Sequence, residues 1–191
     1  MTRLTEIETG AMTDEQRRFY DWMAAGPWER LEGPFKVLLH SPGLADAVNH
    51  VNQFLRGEGT LSKRIRELVI LINARHWETE IEWLSHEPQA RDAGLEEPVI
   101  AALAQGIEPD FRADDEAAVH AFCRELLETR WVTDATFARA RDAVGEVGLI
   151  EIVCTLGLYA MLSLVLNAFE VPLGPGMSTP LGSRRGRGGP P

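Results

Sequence analysis

The chain has 191 residues, of which 45% are hydrophobic and 25% charged, a composition typical of a folded globular protein and unlike that of a disordered one. Its formal net charge of −10 argues against a general nucleic-acid binder, because neutralising phosphates needs a basic surface. The two cysteines, Cys123 and Cys154, form no CxxC pair, which argues against a disulfide scaffold or a zinc site.

The predicted elements, taken in chain order, are helices. Residue types that cap helix N-termini open four of the segments, at Thr13, Ser41, Ser62 and Thr133 or Asp134. Glycine readily adopts the left-handed conformation at a helix end, and Gly94 and Gly106 close two helices in this way. Strand-like alternation is nearly absent. We therefore predict an all-α fold.

One helical segment is unusually apolar. Residues 152–168, IVCTLGLYAMLSLVLNA, carry no charge, and their length is at the lower limit for crossing a bilayer. Glu151 and Glu170 bracket the run without a basic flank, which favours a fully buried core or interface helix over a membrane span. Such a helix must be covered on all sides, which favours a homo-oligomer.

The chain divides into three predicted parts: an N-terminal helical extension at 1–24, one helical domain at 25–173, and a disordered Gly/Pro/Arg tail at 174–191. The tail contains a basic cluster of Arg184, Arg185 and Arg187, for which a solubilising role is favoured over a nucleic-acid contact. The acidic N-terminus has no apolar core typical of a targeting signal, which favours a cytoplasmic protein.

Glu67 is the first candidate for chemistry. It precedes LVILI, five apolar residues that surround a full helical turn, so we expect a buried carboxyl group with a raised pKa. Such a group suits proton transfer near neutral pH. A structural ion pair with Arg64, Arg66 or Arg75 explains the residue equally well.

The stretch ETEIEWLSH, residues 78–86, places Glu78, Glu82 and His86 on one helix face. A carboxylate four residues before an imidazole can hydrogen-bond to it, so Glu82 can orient His86 for acid–base catalysis. A surface pair of little consequence has the same spacing, and Glu78 or Glu80 is expected to be solvated. No HxxxH or HxH pattern supports a metal, and we predict neither a metal nor another cofactor.

The segment RELVILINARHWETEIEWLSHEPQARDAGL closely resembles the carboxymuconolactone decarboxylase family, which includes alkylhydroperoxidase D-like (AhpD-like) proteins. The stretches VLLHSP, DEAAVHAFCRELL, VTDATFARA and LNAFEVP extend the resemblance over about residues 25–173. It implies an AhpD-like all-α domain with duplicated helical hairpins, assembled as a trimer or hexamer. A faint internal repeat, in which Glu67 aligns with Glu151, is consistent with that duplication.

The peroxidase branch of this family has a glutamate, a CxxC pair and a histidine. The resemblance places Glu67 and His86 at the glutamate and the histidine, and Thr79 and Glu82 at the two cysteines. Because peroxide reduction in that branch needs both thiols, a dithiol peroxidase is disfavoured. The decarboxylase branch has no cysteines, and it implies that His86 is the acid/base, Glu82 its orienter and Glu67 a second proton-transfer group.

We therefore predict a cofactor-free enzyme that acts on a small lactone, carboxylic acid or related carbonyl compound. Its catalytic residues are Glu67, Glu82 and His86, and Arg75 and Trp83 bind the substrate.

Two alternative functions remain open. One is a peroxiredoxin-like antioxidant that recruits Cys123 or Cys154, and the other is a non-catalytic oligomeric protein that binds a small molecule. Arg64 and Arg30 are further candidates for contacting an anionic substrate.

Overall fold

The computed structural model describes residues 2–25, 33–174 and 176–182, and the regular structure in these ranges is helical. The helices, in chain order, are α1 (Asp14–Ala25), α2 (Pro34–Leu38), α3 (Pro42–Gln53), α4 (Lys63–His76), α5 (Glu80–Asp92), α6 (Glu97–Gln105), α7 (Asp114–Thr129) and α8 (Asp134–Ala168). A π-helical turn, Phe54–Glu58, follows α3. The prediction of an all-α fold is confirmed.

Local capping explains where several helices begin. Thr13 and Gln16 cap each other before α1, with the Thr13 N–H donating to Gln16 Oε1 at 3.0 Å and the Gln16 N–H to Thr13 Oγ1 at 3.2 Å. Ser62 Oγ accepts from the Ile65 N–H at the start of α4. Ser41 occupies the N-cap of α3 without a side-chain hydrogen bond, so Pro42 in the first turn is the remaining start signal.

Helix α4 lies at the centre of the domain. Every residue from Ile65 to Ala74 is buried, because α4 packs against α5, α7 and α8. This packing explains why the LVILI run has no polar face, and each such side chain contributes about 1.5–3 kcal/mol on burial. Glu67 is carried into the core by the same packing.

Helix α8 is interrupted at Gly145, where φ is 74° and ψ is 172°, and it continues along α4 from residue 146. It is long and apolar enough to cross a membrane by length and composition, and 56% of its most apolar window is buried within the fold. Within the 152–168 run, Val153 and Leu164 are exposed in the single chain, so their burial in an interface between copies stays a prediction. The absence of a membrane partner stays a prediction.

Part of the segment predicted to be a disordered tail, residues 176–182, lies within the described residues. Leu181 is buried in the core around α4. Its N–H donates to Glu80 Oε2 at 3.2 Å, and its carbonyl accepts from Arg75 Nη1 at 3.1 Å. Arg30 and the predicted basic cluster at 184–187 lie outside the described residues.

Candidate active site

Glu67 and His86 meet in the core where α4 packs against α5. The two side chains are buried, and His86 Nδ1 lies 2.7 Å from Glu67 Oε2. When Nδ1–H donates to a carboxylate, the neutral imidazole carries its lone pair on Nε2. The pair therefore presents Nε2 as a proton acceptor, with a carboxylate in place to stabilise the imidazolium that forms.

Glu82 lies on the other side of the imidazole, one turn before His86 on α5. Its Oε2 is 3.7 Å from His86 Nε2, which is beyond a direct hydrogen bond. The sequence predicts that Glu82 orients His86. In the structure Glu67 orients the ring through Nδ1, and Glu82 lies near the other ring nitrogen, Nε2.

The two carboxyl groups are shifted in opposite directions. Burial raises the pKa of Glu67, but its hydrogen bond to His86 and the charges of His86, Arg56 and Arg66 outweigh burial and leave this pKa below its ordinary value. The raised pKa expected for Glu67 is therefore wrong. Burial also raises the pKa of Glu82, and the charges of His86 and Arg56 offset it only in part. Glu67 is thus the ionised carboxylate, and Glu82 is the carboxyl that holds a proton more readily.

Arg66 is the predicted ion-pair partner that lies beside Glu67. Its Nε is 3.7 Å from Glu67 Oε1, and neither atom has a hydrogen-bond partner among the described residues. Arg64 instead pairs with Asp115 and Glu116 on α7. One buried carboxylate oxygen of Glu67 therefore remains able to accept a hydrogen bond.

Tyr159 and Arg56 are site residues that the sequence analysis missed. The Tyr159 ring, on α8, meets His86 edge-on at a centroid distance of 5.1 Å and an interplanar angle of 88°. Arg56, from the π-helical turn, donates to Tyr159 Oη at 3.3 Å and to Gln89 Oε1 at 2.7 Å. In the sequence, the only sign of a role for Tyr159 is that it is the single tyrosine in the uncharged run of α8. Arg56 lies in a π-helical turn, a feature that recurs at functional sites.

Trp83 and Arg75, the two predicted substrate-binding residues, lie in different surroundings. Trp83 is fully buried in the core, and its Nε1 has no hydrogen-bond partner among the described residues. Arg75 lies about 12 Å further along α4 than Glu67, at 1.5 Å per residue. It lines a separate pocket of about 240 Å³ beside His76 and His120. The structure therefore places Arg75 away from the Glu67–His86 pair, whereas Trp83 lies one turn before His86 on α5 and its contact with a substrate stays a prediction.

The remaining polar candidates also differ from expectation. Glu80 is buried and accepts from the Leu181 N–H, whereas a solvated side chain was expected at Glu78 or Glu80. Glu78 is half-buried in the turn before α5, with φ at 51°. Within the described ranges no group of three or more His, Cys, Asp or Glu side chains could hold a metal ion. A site that works without metal or cofactor stays a prediction.

The two thiols lie in different environments. Cys123 is fully buried on α7, and burial raises the pKa of its thiol far above the ordinary value, which makes it a core residue. Cys154 is exposed on α8.

The all-α fold of this chain is similar to the AhpD core fold of two solved structures. A structure from Ralstonia eutropha JMP134, described as an alkylhydroperoxidase AhpD core and an uncharacterized peroxidase-related protein, is similar with a TM-score of 0.71 and 15% identity, covering 91% of this chain and 93% of that one. A protein of unknown function from Agrobacterium tumefaciens, described as a putative antioxidant defence protein AhpD, is similar with a TM-score of 0.61 and 15% identity, covering 75% of this chain and all of that one. No family model and no curated protein matches the sequence.

Proposed function

We propose that the protein is a cofactor-free acid–base enzyme that moves a proton at a carbon beside a carbonyl group. Its substrate is a small lactone, carboxylic acid or related carbonyl compound, and the reaction includes decarboxylation. The observation that carries this proposal is the 2.7 Å contact between His86 Nδ1 and Glu67, with Glu82 on the opposite side of the ring.

The geometry supports one sequence of steps. His86 Nε2 accepts a proton from the carbon next to the carbonyl, and the released electron pair moves onto the carbonyl oxygen as an enolate. Glu67, ionised and buried, stabilises the imidazolium. The imidazolium or the Glu82 carboxyl then returns a proton to carbon. For a substrate that loses CO₂, the breaking C–C bond supplies the same electron pair, the protonated Glu82 carboxyl donates a proton to carbon, and Glu82 then recovers a proton from solvent.

A peroxiredoxin-like antioxidant activity is the second candidate, and the descriptions of both structural neighbours support it. Peroxide reduction by this route needs a reactive thiolate. Burial of Cys123 disfavours it as that group, so exposed Cys154 is the thiol to test. A non-catalytic binding protein is the third candidate.

The proposal also takes the protein to be cytoplasmic and homo-oligomeric, as a trimer or hexamer, with no nucleic-acid or membrane partner. The net charge of −10 supports the absence of a nucleic-acid partner, and the exposed apolar residues of α8 support the homo-oligomer.

The test is turnover of two substrate classes by one set of variants. The panel contains 4-carboxymuconolactone and related lactone acids, beside an organic hydroperoxide with a dithiol reductant. In His86→Ala we expect lactone turnover to fall about 10²- to 10⁴-fold, the usual contribution of a positioned acid–base group. Lactone turnover should also fall in Glu67→Gln, because the imidazolium of His86 then lacks the carboxylate that stabilises it. His50→Ala, an exposed histidine on α3, is the matched control.

The alternatives give different results. Peroxide turnover that survives His86→Ala and disappears in Cys154→Ser would replace the proposal with the antioxidant activity. Binding of a lactone acid without turnover in the native protein would favour the non-catalytic protein.

A further inference from the structure

The Tyr159 hydroxyl group is a buried donor whose proton has no acceptor in the described structure. Tyr159 is 3% exposed, and its Oη accepts one hydrogen bond, from Arg56 Nη1 at 3.3 Å. No described residue accepts the hydroxyl proton. Buried tyrosine hydroxyls usually have a hydrogen-bond partner, and a buried donor without one costs about 1–3 kcal/mol. The fold tolerates this cost beside its acid–base pair.

The Tyr159 side chain lies beside the acid–base groups. The Tyr159 ring contacts the His86 ring, and the charges of Glu82 and Glu67 act on the phenol without a hydrogen bond to either. A ligand oxygen near His86 Nε2 would therefore be close to the Tyr159 hydroxyl, whose proton is not used in a hydrogen bond to a described residue.

Arg56 prepares the phenol for this role. Burial raises the pKa of Tyr159, and the opposing charge of Arg56 does not reverse that shift, so the phenol stays protonated at neutral pH. The guanidinium occupies a lone pair of Oη, which limits the directions left for the O–H bond. A positive charge on the acceptor side also strengthens a hydroxyl as a donor.

We propose that Tyr159, held in place by Arg56, donates a hydrogen bond to the carbonyl oxygen of the substrate and stabilises the enolate oxygen that forms there. This inference rests on the proposed proton-transfer function and adds the donor which that chemistry requires. The C–H proton goes to His86 Nε2, its electron pair forms the C=C bond, and the carbonyl π pair moves to the oxygen bound by Tyr159. The reverse step restores every bond, so no oxidant or reductant is needed.

The experiment uses two ring acids that differ only in a carbonyl group. One probe is 5-oxotetrahydrofuran-2-carboxylate, a lactone acid, and the other is tetrahydrofuran-2-carboxylate, which keeps the ring and the carboxylate. Isothermal titration calorimetry should show that the native protein prefers the lactone acid. In Tyr159→Phe, lactone binding should weaken about 2- to 10-fold, the value of one hydrogen bond, while binding of the ether acid is unchanged. Tyr20→Phe, on α1, is the matched control.

A second measurement follows deuterium exchange from solvent into the carbon beside the lactone carbonyl by NMR. Loss of one oxyanion donor costs about 10²–10³ in rate, and we expect a fall of this size in Tyr159→Phe. If Tyr159→Phe melts at a much lower temperature than the native protein, Arg56→Lys provides the same comparison. A lysine ammonium lacks the planar guanidinium that donates to both Tyr159 Oη and Gln89 Oε1, so the phenol is no longer held in place.

The outcomes separate this inference from the proposed function. A native protein with no preference for the lactone, or a Tyr159→Phe protein that keeps the preference, overturns the role of Tyr159. Exchange that persists in His86→Ala overturns the proposed function, and the two-probe comparison still decides whether Tyr159 binds the carbonyl.

Discussion

Glu82 and Glu67 lie on opposite sides of one imidazole, and the protein stabilises different protonation states of the two residues. Burial raises the pKa of Glu82, so the folded state binds its proton more tightly than the unfolded chain does. As pH rises above the ordinary value of 4.5, the unfolded chain releases that proton first, and stability falls until the folded pKa is passed. For Glu67 the folded pKa is lowered, so its contribution to stability is present above the ordinary value and is lost as pH falls through the folded pKa.

Replacing Glu82 by Gln should therefore stabilise the protein at neutral pH. The amide keeps the size of the side chain and cannot ionise, so the cost of a buried carboxylate disappears. We expect a melting temperature above that of the native protein at pH 7, by about 2–4 °C for each kcal/mol gained. The difference should vanish below pH 4.5, where the native carboxyl is protonated in both states. Circular dichroism melts over this pH range measure it.

Two further variants make the result specific. Glu67→Gln should shift the melting temperature at pH 7 in the opposite direction, because the pair with His86 is lost. Glu146→Gln, at an exposed position in α8, should produce no comparable gain. A Glu82→Gln protein that is less stable than the native protein at pH 7 would contradict the assignment of Glu82 as the costly carboxyl.

At the scale of helices, Gly145 divides α8. Its φ of 74° with ψ of 172° belongs to a region that is essentially reserved for glycine. A Cβ at this position meets nothing within 4 Å, so the cost of a side chain there is one of backbone conformation alone. The break separates residues 134–144 from the apolar segment that carries Tyr159.

Replacing Gly145 by Ala should destabilise the protein by about 1–3 kcal/mol, the cost of a residue held in a disallowed conformation. Chemical denaturation followed by tryptophan fluorescence gives the free energy of unfolding. Gly43→Ala is the matched control, since Gly43 also has open space at its Cβ and lies in a helix without a positive φ. Equal stability of Gly145→Ala and the native protein would mean that the break at this glycine is not required.

Local signals in the sequence predict the helices well, because caps and terminal glycines act within a few residues. Ser62, Thr13 and the glycine after α5 all take their predicted places. The chemical roles are harder to predict. Glu67 and His86 are 19 positions apart, and the sequence does not indicate that α4 and α5 pack so that these two side chains bond directly.

The site residues that the sequence does not indicate are brought together by long-range contacts. Arg56 and Tyr159 are 103 positions apart, on a π-helical turn and the last helix, and no spacing pattern connects them. Glu151 aligns with Glu67 in the faint repeat, yet its carboxylate accepts from the backbone N–H groups of Thr60 and Leu61. Equivalent positions thus differ in role because different elements pack against them.

At the scale of the whole molecule, α8 exposes an apolar stripe. Val147, Ile150 and Leu164 are exposed, with Cys154 and Gly157 on the same side at spacings of three and four residues. This spacing is typical of a helix that packs along another helix. The chain carries a net charge of −10, yet no charged side chain interrupts residues 152–168. We therefore expect a second copy of the chain to cover this stripe.

Placing a charge in the stripe should dissociate the assembly. Ile150 is 63% exposed, so Ile150→Glu leaves the core of the chain intact but would bury an unpaired carboxylate between copies. We expect the native protein to elute as a multiple of the 21.2 kDa chain in size-exclusion chromatography with light scattering, and Ile150→Glu to elute as a single chain. Ile107→Glu is the matched control, because Ile107 is 57% exposed and lies between α6 and α7, not on α8. A native protein that is monomeric at all concentrations would contradict this prediction, since the exposed stripe would then lack its partner.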